Sequence, residues 1–292
     1  MKRYPVLILL FFVFALHADA TIKVVTALPD FADLVREIGG DKVKADYIVR
    51  SDQNPHFIEV KPSYMMKLKS ADIYMGTGME LDQWSPQIID GSRNDKLEIV
   101  DLSKEITKLE VPENVDASQG DVHRFGNPHY WLDPRNVHVL AKEVVDALTK
   151  VSPSDGPTFR ANADAYLKRL DAKIVSWQST MKPYAGSKIV TFHKSWTYFA
   201  NWLGLTVAGE IEPKPGIAPS PSHTVELIDL VRKAGIKVIV VEPFYDLDAP
   251  NQVARMTGAK VIVLPTSSGG DNASDYIGLM DYDVATLANA LH

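Results

Sequence analysis

The sequence predicts an α/β protein with two similar lobes, each built on a mostly parallel sheet, and one long helix bridging them. Short apolar strands alternate with helices in the first half of the chain. A long helical segment follows, and the alternation then restarts. Such alternation is typical of parallel sheets covered by helices.

The first half begins with a strand over residues 21–26 and a helix over 30–38. Phe31, Leu34 and Val35 lie at helical spacing in that helix, and Gly39 ends it. The remaining predicted elements of this half are strands over 43–49 and 73–76 and helices over 61–70 and 136–150. The stretch 110–126 is polar and aperiodic, which predicts a loop.

The bridging helix is predicted over residues 158–181, where Tyr166, Leu170, Ile174 and Trp177 form an apolar stripe. At 1.5 Å per residue it would measure roughly 35 Å, enough to run the height of a domain.

The second half predicts strands over 188–191, 238–241 and 261–264 and helices over 196–202, 224–234 and 276–291, with Ser222 capping the second helix. Thr26 to Gly39 and Thr191 to Gly204 both span thirteen residues. This match favours two similar lobes, although two generic strand–turn–helix units would also produce it.

The N-terminus has the three parts of a secretory signal: basic residues at Lys2 and Arg3, an apolar stretch of twelve residues over 5–16, and small residues at Ala18 and Ala20. Twelve residues are too few to span a bilayer, which takes about 20. We therefore expect cleavage after Ala20 and a periplasmic protein. An uncleaved anchor and free secretion are the alternatives.

We predict a signal peptide over 1–20, an N-terminal lobe over 21–150, the linking helix over 151–185 and a C-terminal lobe over 186–292. The chain of 292 residues contains no cysteine, so disulfides, thiolate ligands and a lipid anchor on cysteine are excluded. A net charge of −6 argues against a nucleic-acid partner.

Three histidines have surroundings that suit a metal ligand. His56 and His129 each follow an Asn-Pro pair, and His193 directly follows the strand 188–191. Proline restricts its own φ and the residue before it, so the loop that carries the histidine has little freedom left to lose. Imidazole is a common zinc ligand, and three imidazoles with one carboxylate would complete a tetrahedral site.

The other histidines of the mature chain are weaker candidates. We expect His123 to be solvated in its polar loop, His138 to lie beside a helix stripe, and His223 and His292 to lie at helix and chain ends. The sequence contains no His-Glu-x-x-His motif, no Gly-x-Ser-x-Gly elbow and no phosphate-binding Gly-x-x-x-x-Gly-Lys loop, which disfavours several enzyme classes.

Taken together, the motifs resemble those of the zinc- and manganese-binding receptors of bacterial ABC importers, the ZnuA/TroA-like substrate-binding proteins. The resemblance covers essentially the whole mature chain. It rests on the order and spacing of these segments: Asn54-Pro55-His56, Ala71-Asp72-Ile73, Gly76-Thr77-Gly78-Met79-Glu80, Pro128-His129-Tyr130-Trp131-Leu132-Asp133-Pro134, Val190-Thr191-Phe192-His193 and the stretch from Asp275 to Tyr282.

The resemblance implies a metal site in the cleft between the lobes, with His56 and His129 from the first lobe and His193 from the second. It implies a carboxylate shortly before the last helix as the fourth ligand. Asp275 is our choice, and Asp271 is the alternative. The implied partner is the membrane permease of an ABC importer, with a monomeric, non-enzymatic receptor delivering the ion to it.

The sequence departs from the pattern of family members at two places. Many zinc members carry a histidine-rich loop between the first two ligands, whereas the stretch 110–126 contains only His123. Manganese members often have Glu where this chain has His193. Nitrogen donors favour zinc, so we predict zinc, with manganese as the alternative ion.

A periplasmic zinc-dependent hydrolase is the competing interpretation, and a surface adhesin is a weaker one. A hydrolase would need an open metal position and a general base. Glu59 could serve as that base, but a supporting contact to His56 suits it better.

Overall fold

The computed structural model describes residues 21–114, 120 and 123–292, which form two lobes, each around a four-stranded parallel sheet. In the first lobe the strands are β1 (Ile22–Thr26), β2 (Val43–Tyr47), β3 (Ile73–Gly76) and β4 (Glu98–Asp101). The helices are α1 (Pro29–Gly39), α2 (Pro62–Lys69), α3 (Ser85–Ser92) and α4 (Val137–Val151). The long helix α5 (Gly156–Met181) follows.

In the second lobe the strands are β5 (Lys188–Thr191), β6 (Thr206–Glu210), β7 (Val238–Val241) and β8 (Lys260–Val263). The helices are α6 (Thr197–Leu203), α7 (Pro221–Ala234), α8 (Asp248–Thr257) and α9 (Tyr276–Leu291). The sheets have the orders β2-β1-β3-β4 and β6-β5-β7-β8, which are the same arrangement used twice. The predicted fold of two similar lobes is therefore confirmed.

The shared topology gives the two thirteen-residue units a structural meaning. Thr26 and Thr191 end β1 and β5, the strands at which each sheet's order reverses. Gly39 lies in the last turn of α1, whereas Gly204 follows α6 with a φ of 68°, a left-handed conformation that suits glycine. Open parallel sheets bind ligands at the carboxyl ends of strands near such a reversal.

The helix α5 joins the lobes through a continuous core rather than as a free linker. It has 26 residues, about 39 Å of length. Its buried residues Tyr166, Leu170, Ile174 and Trp177 are the predicted stripe, and they belong to a hydrophobic cluster that includes residues of β1, β5 and α9. The Trp177 indole also donates a 2.7 Å hydrogen bond to Asp281 of α9.

Some details of the sequence prediction were wrong or incomplete. The side chain of Ser220, not Ser222, caps α7 by accepting a 3.2 Å hydrogen bond from the His223 N–H. The elements α3, β4, β6 and α8 were not predicted. The signal peptide falls on residues outside the described part of the chain, and the lobe boundaries stay a prediction. No helix of the described segments is long and apolar enough to cross a membrane.

Candidate metal centre

Three predicted ligands converge in the cleft. His56, His129 and His193 each offer a ring nitrogen, and these atoms lie within 4.8 Å of one another. The Nε2 atoms of His56 and His129 are 3.1 Å apart. His129 and His193 are 2% and 5% exposed, so water competes little for their nitrogens. Three ring nitrogens this close together would suit a cation.

The two Asn-Pro-His segments fold into the same turn. The side-chain Oδ1 of Asn54 accepts a 3.0 Å hydrogen bond from the His56 N–H, and Asn127 does the same for His129 at 3.0 Å. Such turns are a common use of asparagine before a tight change of direction. The indole of Trp84 fixes the first turn further by donating to the Pro55 carbonyl at 2.9 Å.

Each of these asparagines also reaches the second lobe with its Nδ2. Asn54 donates to the hydroxyl of Tyr245 at 3.3 Å, and Asn127 donates to the carbonyl of Lys194 at 2.7 Å. Lys194 is the residue after His193. The side chains that hold the first-lobe histidines therefore also tie the two lobes together beside the site.

The amide of Asn127 decides the tautomer of His129. Its nitrogen faces acceptors, the Lys194 carbonyl and the Glu110 carboxylate at 3.0 Å, so its oxygen must face His129. That oxygen lies 3.0 Å from Nδ1 of His129, and an amide oxygen can only accept. His129 consequently carries its proton on Nδ1 and presents the Nε2 lone pair to the cleft.

A carboxylate fixes His193 in the same way. His193 follows β5, and Glu212 lies two residues beyond the neighbouring strand β6, so both reach the same edge of the sheet. The Nδ1 of His193 lies 2.8 Å from Oε2 of Glu212, which is 8% exposed. A carboxylate acceptor on Nδ1 fixes the orientation of the ring and leaves Nε2 toward the cleft.

The electrostatics of the cleft favour a neutral imidazole at His129. Burial lowers the pKa of His129 well below its ordinary value of 6.5, and the neighbouring histidines add to the effect. Glu242 directly follows β7. Burial raises the pKa of its carboxyl group to about 7, although the nearby His193 acts to lower it. A neutral imidazole is the form that binds a metal ion.

The predicted fourth residue does not join the cluster. Asp275 caps α9, where its Oδ1 accepts a 2.7 Å hydrogen bond from the Gly278 N–H and its Oδ2 accepts one from Ser274 at 3.2 Å. It is not among the residues whose ligand atoms meet. Asp271, the alternative, is exposed. A carboxylate just before a helix satisfies the helix's free N–H groups, and that local role accounts for its position.

His123, which the sequence led us to expect in solvent, lies at the site instead. It is 8% exposed, and its ring centroid is 5.1 Å from that of His56. It lines a cavity of about 290 Å³ together with His129 and His193. The sequence feature that could have indicated this position is that His123 occurs in the loop just before His129. Glu59, which we expected to support His56, is exposed.

The fold and the cleft define a class of two-lobed solute receptors whose lobes are bridged by a long helix. The family described as "Zinc-uptake complex component A periplasmic", ZnuA, matches residues 24–290. The chain belongs to this family, and the resemblance seen in the sequence is confirmed.

Known proteins agree on the family and differ in the metal they are named for. The manganese-binding lipoprotein MntA of Halalkalibacterium halodurans is 25% identical over 92% of this chain and 88% of its own length. The zinc-binding lipoprotein AdcA of Streptococcus pneumoniae is 23% identical over 93% of this chain, which spans only 56% of AdcA. A crystal structure of ZnuA matches 94% of this chain and all of its own, with a TM-score of 0.82 and 25% identity.

Proposed function

We propose that this protein captures a divalent transition metal ion in the periplasm, zinc in preference to manganese, and delivers it to the permease of an ABC importer. The observation that carries the proposal is the convergence of His56, His129 and His193 between the lobes. Family membership supports the role in uptake. We propose that the receptor acts as a monomer after cleavage behind Ala20.

The donor atoms support zinc. Imidazole nitrogens suit zinc, whereas manganese favours carboxylate and other oxygen ligands. Within the described residues, the carboxylate of Glu212 is hydrogen-bonded to Nδ1 of His193, so it supports a proposed ligand and is not itself one. MntA is named for manganese and AdcA for zinc, so the choice rests on these side chains.

The position of Glu59 does not favour the hydrolase alternative, in which it would be the general base. Hydrolysis at zinc needs a bound water and a group to take its proton. Glu59 is exposed at the surface. The relatives MntA and AdcA are named as metal-binding lipoproteins. We therefore propose a receptor without an enzymatic role.

Zinc binding with a matched pair of histidine variants tests the proposal. We expect one tight site per chain in a chelator-competition titration with element analysis. His129→Ala should weaken binding by orders of magnitude, because it removes a buried ligand. His138→Ala is the control, since His138 is exposed on α4 and pairs with Asp171 at 2.8 Å. Equal zinc affinities of the two variants would refute the site.

A further inference from the structure

His193 has a carboxylate on each side, contributed by the two strands that flank β5. On the β7 side, Thr191 lies opposite Val240 in the parallel register. The Phe192 N–H continues this pairing past the end of β5 by donating to the Val240 carbonyl at 2.8 Å. Two residues beyond Thr191 and Val240, the register sets His193 level with Glu242, on strands roughly 4.8 Å apart.

The two carboxylates differ in their contacts. Glu212, on the β6 side, lies 2.8 Å from Nδ1 of His193. Glu242 is fully buried, and neither of its oxygens is in hydrogen-bonding geometry with a donor of the described residues. The nearby Ser195 side chain acts to lower the pKa of Glu242, but burial outweighs that effect. A carboxylate is costly to bury in this way, and titratable groups with shifted pKa values are concentrated at functional sites.

Glu242 is not one of the converging ligands. Its oxygens do not belong to the group of ligand atoms that lie within 4.8 Å of one another, and it does not line the cavity of about 290 Å³ beside that group. Its carboxyl group nevertheless interacts electrostatically with His193. A buried charge is screened much less than a charge at the surface. Any effect of Glu242 on a bound ion is therefore exerted through its charge.

We infer that Glu242, together with Glu212, makes the histidine cluster selective for a doubly charged ion over a singly charged one. This inference rests on the proposed function. Imidazole binds a metal ion in its neutral form, so the converging histidines do not offset the charge of the ion. The two carboxylates beside His193 place two negative charges near a doubly positive ion and so supply that balance.

The selectivity follows from the dependence of the Coulomb energy on charge. At the same position, a dication gains twice as much energy from the Glu242 carboxylate as a monocation does. Neutral imidazoles alone do not make this distinction, because nitrogen donors attract soft monocations as well. The specificity of the site for dications is thus assigned to side chains that do not touch the ion.

Metal affinities of Glu242→Gln, measured at pH 8, test the inference. This pH is above the Glu242 pKa of about 7, so the wild-type side chain is mostly ionised. Chelator competition gives the zinc affinity, and titration with Ag⁺ in chloride-free buffer gives the affinity for a monocation. We expect zinc affinity to fall by roughly 10–100-fold. Ag⁺ affinity should fall by about the square root of that factor, roughly 3–10-fold.

Three further variants separate charge from structure. Glu242→Asp keeps the charge and should retain most of the preference for zinc over Ag⁺. Glu242→Met replaces the carboxyl group with an apolar one of similar length, and it should repeat the loss seen in Glu242→Gln without burying an amide. Glu226→Gln removes an exposed charge from α7 and should behave as the wild type.

The outcomes distinguish the inference from the proposed function. Equal fold losses of zinc and Ag⁺ affinity in Glu242→Gln and Glu242→Met would indicate a distorted site and would overturn the role of the charge. Unchanged zinc affinity in both variants would overturn it as well. Failure of the wild-type protein to bind one zinc ion would instead contradict the proposed function.

Discussion

At the scale of single residues, the site depends on how each imidazole is oriented as much as on its presence. The side chain of Asn127 and the carboxylate of Glu212 each face an Nδ1 atom and so leave an Nε2 lone pair toward the cleft. Orientation by such partners is set before any ion arrives. The protein therefore has little rearrangement to complete when it binds its cargo.

Glu212→Gln tests this orientation. The amide oxygen of Gln can still accept from Nδ1 of His193, but the carboxylate beside the imidazole is lost. We expect zinc affinity to fall by roughly 10–100-fold. Chelator competition measures it, and Glu226→Gln, an exposed position on α7, is the control. Wild-type affinity in Glu212→Gln would show that the charge has no role.

The sequence predicted the residues whose signals are local. The Asn-Pro-His turns and a histidine after a strand can be recognised from neighbouring residues, and His56, His129 and His193 do meet. Glu212 lies nineteen residues from its partner, a relation that only the pairing of β5 and β6 creates. His123 was missed because the burial of a loop residue depends on distant contacts, here Arg124 with Glu80.

At the scale of elements, α9 carries an unusual core residue. Asp283 is fully buried, and neither of its oxygens has a hydrogen-bond partner within the described residues. Burial, followed by the nearby charge of Asp30 on α1, raises the pKa of Asp283 well above 3.8. Such a group is costly to ionise, so it stays protonated in the folded protein to a higher pH than in the unfolded chain.

This arrangement predicts how stability depends on pH. Because the folded state holds the Asp283 proton more tightly, its contribution is most favourable below pH 3.8 and is lost as the pH rises toward the folded-state pKa. Asp283→Asn removes the titration. The variant should therefore become more stable relative to the wild type as the pH rises. The difference in unfolding free energy should grow by up to about 1.4 kcal/mol per pH unit above pH ~4.

Denaturant unfolding of the metal-free proteins at several pH values would measure this difference. Asp90→Asn on the exposed side of α3 is the control and should follow the wild type. A constant offset between Asp283→Asn and wild type across the whole range would contradict a raised pKa.

The elements predicted correctly are those with strong periodicity, and the missed ones lack it. β3, β5, β7 and α9 have the predicted bounds because their runs are apolar or amphipathic. β6 is half-buried and contains Gly209, and β4 buries only one of its residues, Val100. α3 includes Pro86 and Gly91, residues that usually argue against a helix. Packing against the sheets overrides these weak local preferences.

At the scale of the whole molecule, the three converging histidines come from both lobes: His56 and His129 from the first and His193 from the second. A cation bound to both lobes stabilises the folded protein by RT ln(1 + [L]/Kd), about 4 kcal/mol at a thousandfold excess over Kd. We expect the thermal midpoint to rise with zinc, by roughly 2–4 °C per kcal/mol. His56→Ala and His193→Ala should each remove most of the rise, although they lie in different lobes.

Differential scanning fluorimetry with and without zinc measures this shift, and His223→Ala, on α7, is the control. A zinc-dependent rise that survives the loss of His193 would contradict binding across the cleft. The two-lobed plan itself was predictable, because the alternation of strands and helices occurs twice along the chain. The core that α5 shares with residues of both sheets was not, since it depends on contacts between distant segments.

The attachment of both lobes to α5 also determines how small a movement is enough to release cargo. A zinc–nitrogen bond is about 2.0–2.1 Å long, and it contributes little once it is stretched by about one further ångström. At a lever arm of roughly 20 Å, half the length of α5, that ångström corresponds to a tilt of only about 3°. Elastic bending of a packed helix can supply such an angle without breaking its hydrogen bonds. On the proposed function, a membrane partner that tilts the lobes apart by this angle would release the ion.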